Sequence, residues 1–522
     1  MRGVRLIYTS RVSTTNSPAA PSDKLDKGVL LVAGVVVLGA IMSILDITVV
    51  SIALPTFMGV FDATYAQVAW SMTGYTLALA TVIPLTGWAA DRFGTKRLYM
   101  LALVLFVAGS VLCGLAWDVS SLVGFRVLQG LGGGMLMPLG MTIMTRAAGP
   151  DRIGRVMAVL GVPMLLGPIA GPILGGWLID SASWHWIFLI NLPIGIAALI
   201  YSAIVLPRDS PTPSESFDFV GMLLLSPGLA LFLYGASSTP ETGTLLATKV
   251  LVPGLIGLAL VGVFVLRSLM ARVDHPLIDL HLFQNRQLTV AVISMSLFAI
   301  AFFGAGLLFP SYFLQVRGET TLQAGILLAP QGLGAMITMP IAGILADRIG
   351  PGKIVLTGIA VIAVGMAAFT QVAADTSYVL LLGSLFVMGL GMGATMMPIM
   401  TAALQTLTDH NLARGSTLMN IVQQVAGSIG TALMSVVLTN ATLARDSAEQ
   451  LVEAGQAGRV AELSPAVVGQ GLSELADAFG ITFVVATVLI VGCLVPAYFL
   501  PRSKPPVATD EAGNPAPPVL VH

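Results

Sequence analysis

Charge is scarce in this sequence. Asp, Glu, Lys and Arg make up 10% of its 522 residues, against roughly 25% in an ordinary soluble domain. With 56% hydrophobic residues and a strongly positive mean hydropathy, the chain reads as an integral membrane protein. The 25 basic and 26 acidic residues nearly balance, which excludes a nucleic-acid surface or an acidic tail. There are two cysteines, Cys113 and Cys493, each inside an apolar run, so neither a disulfide framework nor cysteine-based metal-ligand spacing exists. No Gly-rich loop ending in Gly-Lys-Ser/Thr is present, which excludes an ATP-driven pump. No HExxH, no intramembrane cluster of histidines or carboxylates and no strand-turn-helix nucleophile site is present, which argues against an enzyme. No metal and no cofactor are expected. No short apolar core with a small-residue cleavage site precedes the first long apolar run, so a cleavable signal peptide is not expected.

What the sequence does have is long apolar runs. A helix needs about 20 apolar residues to cross the hydrocarbon core. Fourteen runs qualify, at approximately 28–51, 67–90, 97–116, 121–145, 155–178, 185–206, 218–237, 248–267, 288–315, 322–346, 353–373, 377–404, 415–440 and 478–500. Pro227 and Pro253 interrupt the seventh and eighth. With a cytoplasmic start, twenty basic residues fall inside; Lys249, Arg317, Arg445 and Arg459 fall outside, and Arg126 lies within a span. That asymmetry is what the positive-inside rule demands of fourteen spans with both ends cytoplasmic.

Two charges break the apolar pattern. Asp46 sits in "SILDITVVSIALP" and Arg126 in "RVLQGLGGG". A carboxylate at a bilayer centre costs roughly 2.5–3.5 kcal/mol on insertion scales, so each group is expected to satisfy the other. A low-dielectric site penalises the carboxylate's charge and a nearby guanidinium stabilises it, so a change in their separation would change how readily the acid takes up a proton. A static ion pair that fixes helix register is the alternative. Gln129, three residues after Arg126, shares its helical face and can bond the guanidinium or a substrate. The glycines that follow, Gly130 and Gly132 to Gly134, follow no strand, so they read as close helix packing and not as a phosphate cradle.

The chain also repeats itself. "GWAADRFGTKR" at 87–97 echoes in "GILADRIGPGK" at 343–353, "GLGGGMLMP" at 130–138 in "GLGMGATMMP" at 389–398, and Pro55 in Pro310. One shift of 255 to 260 residues relates all three pairs. Two six-helix halves follow, at 28–206 and 288–500, with spans seven and eight inserted as a hairpin in the linker 207–287, which also holds a cytoplasmic amphipathic segment. Tails 1–27 and 501–522 read as disordered and cytoplasmic, and 441–476 as an extracytoplasmic loop, either an amphipathic lid or a solvated connection.

"GWAADRFGTKR", "RVLQGLGGG", "GPIAGPILGGW" from Gly167, "LDITVVSIALP" from Leu45, "WHWIFLINLPIG" at 184–195 and "PLIDLHLF" at 276–283 together resemble the major facilitator superfamily and its fourteen-span drug:proton antiporter branch. Ser51 stands where that branch usually has Asn, and His185 where it has Arg. From the residues alone His185, between Trp184 and Trp186, is an interfacial anchor. The resemblance implies an all-α major facilitator fold in a bacterial cytoplasmic (inner) membrane, and proton-driven export of lipophilic, often cationic, compounds. Its partners would be the bilayer, small lipophilic substrates and protons, with a periplasmic or envelope adaptor left open. Export of an endogenous envelope lipid or metabolite would use the same machinery.

By the same resemblance, Asp46 and Arg126 couple protons, and Gly87, Asp91, Arg92, Gly94, Lys96 and Arg97 form a cytoplasmic gating loop. In that loop Asp91 is implied to face the amino end of the thirteenth span, after "DHNLAR". The run from Gly161 through Gly167, Pro168, Gly171, Pro172, Gly175 and Gly176 is implied to be the antiporter motif. Its glycines at intervals of four lie on one helical face that can approach a neighbouring helix closely. With Asp46 the main intramembrane acid, neutral or monovalent substrates fit better than bulky divalent cations. Some of the 24 methionines are expected to line the substrate cavity, where adaptable apolar side chains suit varied ligands.

Overall fold

A computed structural model describes residues 26–149, 152–209, 216–270, 276–405, 407, 409–456 and 459–503. Most of the two tails expected at 1–27 and 501–522 lies outside these residues. All regular structure among the described residues is helical. In chain order the helices are α1 (Lys27–Phe61), α2 (Tyr65–Phe93), α3 (Thr95–Cys113), α4 (Val119–Ala148), α5 (Ile153–Ser181), α6 (Trp186–Leu189) and α7 (Asn191–Val205). Then come α8 (Phe219–Ser237), α9 (Thr239–Thr242), α10 (Thr248–Met270), α11 (Arg286–Gln315), α12 (Thr321–Leu327) and α13 (Ala329–Ile349). The last are α14 (Pro351–Ala367), α15 (Tyr378–Gly393), α16 (Met396–Leu404), α17 (Asp409–Leu443), α18 (Asp446–Gln456), α19 (Pro465–Gly492) and α20 (Leu494–Ala497).

Thirteen helical segments among the described residues are long and apolar enough to cross a membrane. The run expected at 155–178 falls in α5, which has 29 residues and is not one of the thirteen; several of its side chains lie outside the described residues. The helices are often longer than the apolar runs that signal them. α1 has 35 residues, about 52 Å at 1.5 Å per residue, and so projects beyond the hydrocarbon core at one or both ends. Pro227 and Pro253 do not interrupt α8 and α10, because both helices continue through them. Proline is tolerated in a spanning helix when neighbours and local adjustments satisfy the freed carbonyl.

The repeat in the sequence reappears as a repeat in local chemistry. α2 and α12 each begin with a capping box, Thr64 with Gln67 and Thr320 with Gln323, which satisfies the first free amides reciprocally. α2 and α13 each end at a glycine in nearly the same left-handed conformation, Gly94 at φ 94°, ψ 145° and Gly350 at φ 88°, ψ 144°. Only glycine adopts that conformation without strain. Packing repeats as well: α1 lies on α5 and α2 on α4, while α11 lies on α17 and α13 on α15. The two sets meet where α2 touches α17 and where α5 touches α13.

α8 and α10 pack on each other as a hairpin that leans on α2 and α17, with Trp70 stacked on Tyr234 at 5.7 Å between ring centroids. The outward side of α10 exposes Leu255, Leu258, Leu266 and Met270, as a helix facing lipid does. The segment 441–476 is largely helical, not an open loop. α18 packs Ala448 and Leu451 inward against α19. Glu474 of α19 accepts from the amides of Ser447 and Ala448, both at 3.1 Å, which satisfies free donors of the first turn of α18.

Candidate functional site

Asp46 lies on α1, midway along a helix whose neighbours are otherwise apolar, and its side chain is fully buried. Arg126 Nη1 donates to its Oδ2. Gln129 Nε2 donates to its Oδ1 at 2.8 Å, and Gln129 Oε1 accepts from Arg126 Nη1 at 2.8 Å. The three residues thus close a ring of hydrogen bonds, which the i, i+3 spacing on α4 makes possible. Arg126 Nε donates to the carbonyl of Ser71 at 3.1 Å, and its guanidinium carbon lies 4.1 Å from the centre of the Tyr75 ring. The Tyr75 and Ser43 hydroxyls are hydrogen-bonded at 3.2 Å, and Cys113 Sγ is 3.7 Å from Gln129 Oε1.

Sequence reasoning found the inner three residues but missed Ser43, Ser71, Tyr75 and Cys113. None of these four differs in its local sequence from an ordinary core residue. The glycines of α4 let the network assemble: a side chain at Gly133 would collide with the Tyr75 hydroxyl, and one at Gly132 with the backbone of Phe106 on α3. A buried charge with this many partners is satisfied, and removing one partner of such a pair costs about 3–5 kcal/mol.

The face of α5 bearing Gly167, Gly171 and Gly175 packs on the turn of α1 that carries Asp46. A Cβ at these positions would meet Ile44, Thr48 and Val49 respectively, and Thr48 Oγ1 donates to the carbonyl of Gly167 at 3.2 Å. Gly161 faces Met339 and Met397 of the second set of helices, while Gly176 faces open space. The side chains of Pro168 and Pro172 lie outside the described residues. Ser51 is exposed and donates to the carbonyl of Thr48 at 2.7 Å. His185 stacks on Trp184 at 3.9 Å between centroids.

The loop after α2 divides into two separate devices. Asp91 is buried, with Oδ1 3.8 Å from Arg146 Nη2 and Oδ2 3.8 Å from Arg414 Nε. Arg414 lies in the second turn of α17, so Asp91 does face the start of that helix, here through a side chain. A Cβ on Gly87 would sit 3.4 Å from Cα of Arg414 and 3.2 Å from Thr417 Oγ1. Lys96 belongs to a different contact: its Nζ donates to the carbonyls of Ala203 and Leu206, each at 2.7 Å, at the end of α7. Asp209 accepts from the amides of Lys96 at 2.8 Å and Arg97 at 3.0 Å. Arg92 is half-buried and Arg97 exposed.

The echo of Asp91 in the second repeat, Asp347, was not singled out in the sequence. It accepts from the amide of Gly154 at 2.7 Å and of Arg155 at 3.2 Å, and its Oδ2 is 3.5 Å from Arg155 Nε. A carboxylate is thus seated on the first turn of α5, where free amides and the helix dipole favour it. Asp91 with Arg414 and Asp347 with Arg155 form reciprocal clasps, each linking the end of one repeat's second helix to the other repeat. The repeat shift itself marked Asp347, since 256 residues separate it from Asp91.

Between these clasps and Asp46 lies a small cavity lined by Met137, Met141 and Met157 from α4 and α5, by Met397 and Met400 from α16, and by Asn420 of α17. Asn420 Nδ2 is 3.2 Å from Met141 Sδ, across the two repeats. These are methionines whose placement the sequence left open. No group of three or more His, Cys, Asp or Glu side chains that could hold a metal ion occurs among the described residues.

The profile of the Major Facilitator Superfamily matches residues 36–431. A multidrug resistance protein B homolog of Mycobacterium tuberculosis is 52% identical over 496 residues, 92% of each chain. The multidrug export protein EmrB of Escherichia coli is 30% identical over 419 residues, 77% of this chain and 79% of the relative. The human organic anion transporter MFSD10 superposes with a TM-score of 0.60 at 17% identity, over 88% of this chain and 99% of that one. The proton:xylose symporter XylE does so with a TM-score of 0.56 at 14% identity, over 90% and 97%. At such low identity these two likenesses speak for the fold alone. The chain is a multi-pass membrane transporter and not an enzyme, and it belongs to the Major Facilitator Superfamily, among homologues of the EmrB-type proteins.

Proposed function

We propose that this transporter is a proton-coupled secondary exporter, a drug:proton antiporter that moves lipophilic, often cationic, compounds by alternating access. It works in the bacterial cytoplasmic (inner) membrane with fourteen spans, the thirteen apolar segments plus α5, and with both termini cytoplasmic. Residues 28–206 and 288–500 form the rocking halves, and α8 and α10 in 207–287 an added hairpin. It needs no cofactor, only the proton gradient. The names of the multidrug relatives support the substrate class. A periplasmic or envelope adaptor would be a further partner.

The observation that carries the reading is the closed ring of Asp46, Arg126 and Gln129, the one place where a charge is held deep within α1 by two side chains of α4. Protonating Asp46 removes the charge that holds Arg126 and weakens the ring, and deprotonation restores it. If the distance between α1 and α4 differs between the inward- and outward-facing states, proton affinity differs with it, which is the coupling an antiporter requires. The two clasps, Asp91 with Arg414 and Asp347 with Arg155, close the cytoplasmic side in this conformation. The glycine face of Gly167, Gly171 and Gly175 keeps α5 sealed on α1 near the acid. When the clasps release, the methionine cavity opens toward the cytoplasm and receives substrate. Thioether side chains adapt to flat, polarisable ligands.

Reconstitution in liposomes tests this. Ethidium transport driven by a proton gradient is expected in the wild type and is expected to be lost in Asp46→Asn. Gradient-driven transport that survives the substitution would make Asp46 a structural partner of Arg126 only. Failure of lipophilic cations to move at all would shift the substrate to an envelope lipid or metabolite.

A further inference from the structure

The inserted hairpin touches both repeats, and its two contacts differ in kind. α8 and α10 are held together as one unit: a side chain at Gly235 or Gly257 would collide with the backbone of the other helix. Arg267 Nη1 lies 2.9 Å from Asp218 Oδ1 across the base of the pair. This unit is fastened to α2 at two places. Phe217, just before α8, packs on Trp88 at 4.4 Å between ring centroids, and Tyr234 stacks on Trp70 at 5.7 Å. Eighteen residues separate Trp70 from Trp88, about 27 Å along the helix at 1.5 Å per residue. The hairpin therefore follows α2 over much of its length, and two interlocked ring pairs resist sliding.

Its contact with α17, which belongs to the other repeat, lacks such anchors. α8 and α9 touch α17, but among the described residues no ring pair, hydrogen bond or ion pair joins them. At the turn after α9, Gly243 has φ 65°, and a Cβ there would lie 2.8 Å from Thr439 Cγ2. With no side chain on Gly243 to interlock, this surface can part and re-form. Thr439 is twenty-five residues after Arg414, about 37 Å along α17. The contact thus sits at the end of the bundle away from the clasp of Asp91 with Arg414.

We propose that the α8–α10 hairpin is a latch between the repeats. It moves with α2 as part of the first repeat, and its α9 tip closes on Thr439 of α17 to hold together the end opposite the clasps. This rests on the reading of the two sets of helices as rocking halves. Clasps and latch are both made in this structure, so the cavity reaches the far end only when α9 leaves Thr439. The latch must then open once in every cycle, while the seam between the hairpin and α2 stays shut throughout.

Two cross-links separate these roles. A Cβ on Gly243 would lie 3.6 Å from the Cβ of Thr439, within the range of about 3.5–4.5 Å that a disulfide spans. Cys113 and Cys493 are buried and do not compete. Oxidising Gly243→Cys/Thr439→Cys in liposomes is expected to cut gradient-driven ethidium transport at least tenfold, with recovery on reduction. Bridging Trp70→Cys/Tyr234→Cys with a short bis-maleimide is expected to leave transport within twofold of the same protein before bridging. Transport that continues through the first cross-link, or a disulfide that does not form in folded protein, overturns the latch. Transport lost on the second overturns the hairpin's movement with α2.

A readout without substrate keeps the latch distinct from the exporter reading. Spin labels at Trp117→Cys, just before α4, and Val379→Cys, in the first turn of α15, are exposed at the end away from the clasps. Gly243→Leu, which drives a side chain into Thr439, is expected to move the main distance population to longer values. A single sharp size-exclusion peak shows the variant folded; Thr439→Phe replaces it if it is not. An unchanged distribution overturns the latch. A wild type that carries no ethidium overturns the exporter reading alone, and the distances still decide the latch.

Discussion

Replacing Asp347 by alanine removes two amide acceptors and one ionic partner from the seam between α13 and α5 in a single step. The acceptors are the contacts to the amides of Gly154 and Arg155 at 2.7 and 3.2 Å. Hydrogen bonds to a charged group contribute about 1.5–3 kcal/mol each, and the buried setting keeps solvent from making up the loss. Taking the lower figure for each bond gives about 3 kcal/mol, so the equilibrium constant for closing this seam falls about 100-fold. Asp347→Asn keeps one acceptor oxygen and is expected to fall between.

Spin labels at Phe93→Cys and Ile349→Cys, exposed at the ends of α2 and α13, read the opening directly. Cys113 and Cys493 are buried and stay unlabelled. Asp347→Ala is expected to move the main distance population to longer values, and Arg155→Ala to move it less than additively with Asp347→Ala, since the two share one contact. An unchanged distance distribution in Asp347→Ala, in protein that still binds ethidium, would refute the assignment of this clasp to closure.

Three further outcomes are expected. Arg126→Lys keeps the charge but loses the fork that reaches Asp46, Gln129 and the Ser71 carbonyl together, so melting in detergent is expected to show a loss of about 2–3 kcal/mol. Gly171→Val pushes a branched side chain into Thr48 and is expected to cost about 1–3 kcal/mol by the same measurement, with gradient-driven transport reduced more than substrate binding. Asp118, the exposed N-cap of α4, is held below its ordinary value of 3.8 chiefly by the backbone amide of Ser121. A depressed folded value means its stabilisation is present above that ordinary value and is lost as pH falls through the lower folded one. Acid melting curves of Asp118→Asn are expected to lack that step.

The long apolar helices and the repeat were legible because they follow from local composition. A run of about 20 apolar residues, a basic loop or a shifted copy of "ADR.G" needs no knowledge of the fold. Asp46, Arg126 and Gln129 could be read for the same reason, since a charge inside an apolar run stands out and i, i+3 spacing puts two residues on one face. Gly167, Gly171 and Gly175 were legible as a face, but not their partners Ile44, Thr48 and Val49 on α1.

What the sequence by itself determined is therefore the membrane class, the two-repeat plan and the identity of the intramembrane acid and base. The tertiary structure alone decided that Tyr75 and Ser71 complete the guanidinium's shell, that Lys96 serves α7 while Asp91 serves α17, that Asp347 seats on α5, and that five of the methionines share one cavity. These pairings join residues tens to hundreds of positions apart, and the side chains involved are of types common throughout a helical core. Contact across helices depends on crossing geometry and on which glycines permit close approach, and neither leaves a signal in the chain's local pattern.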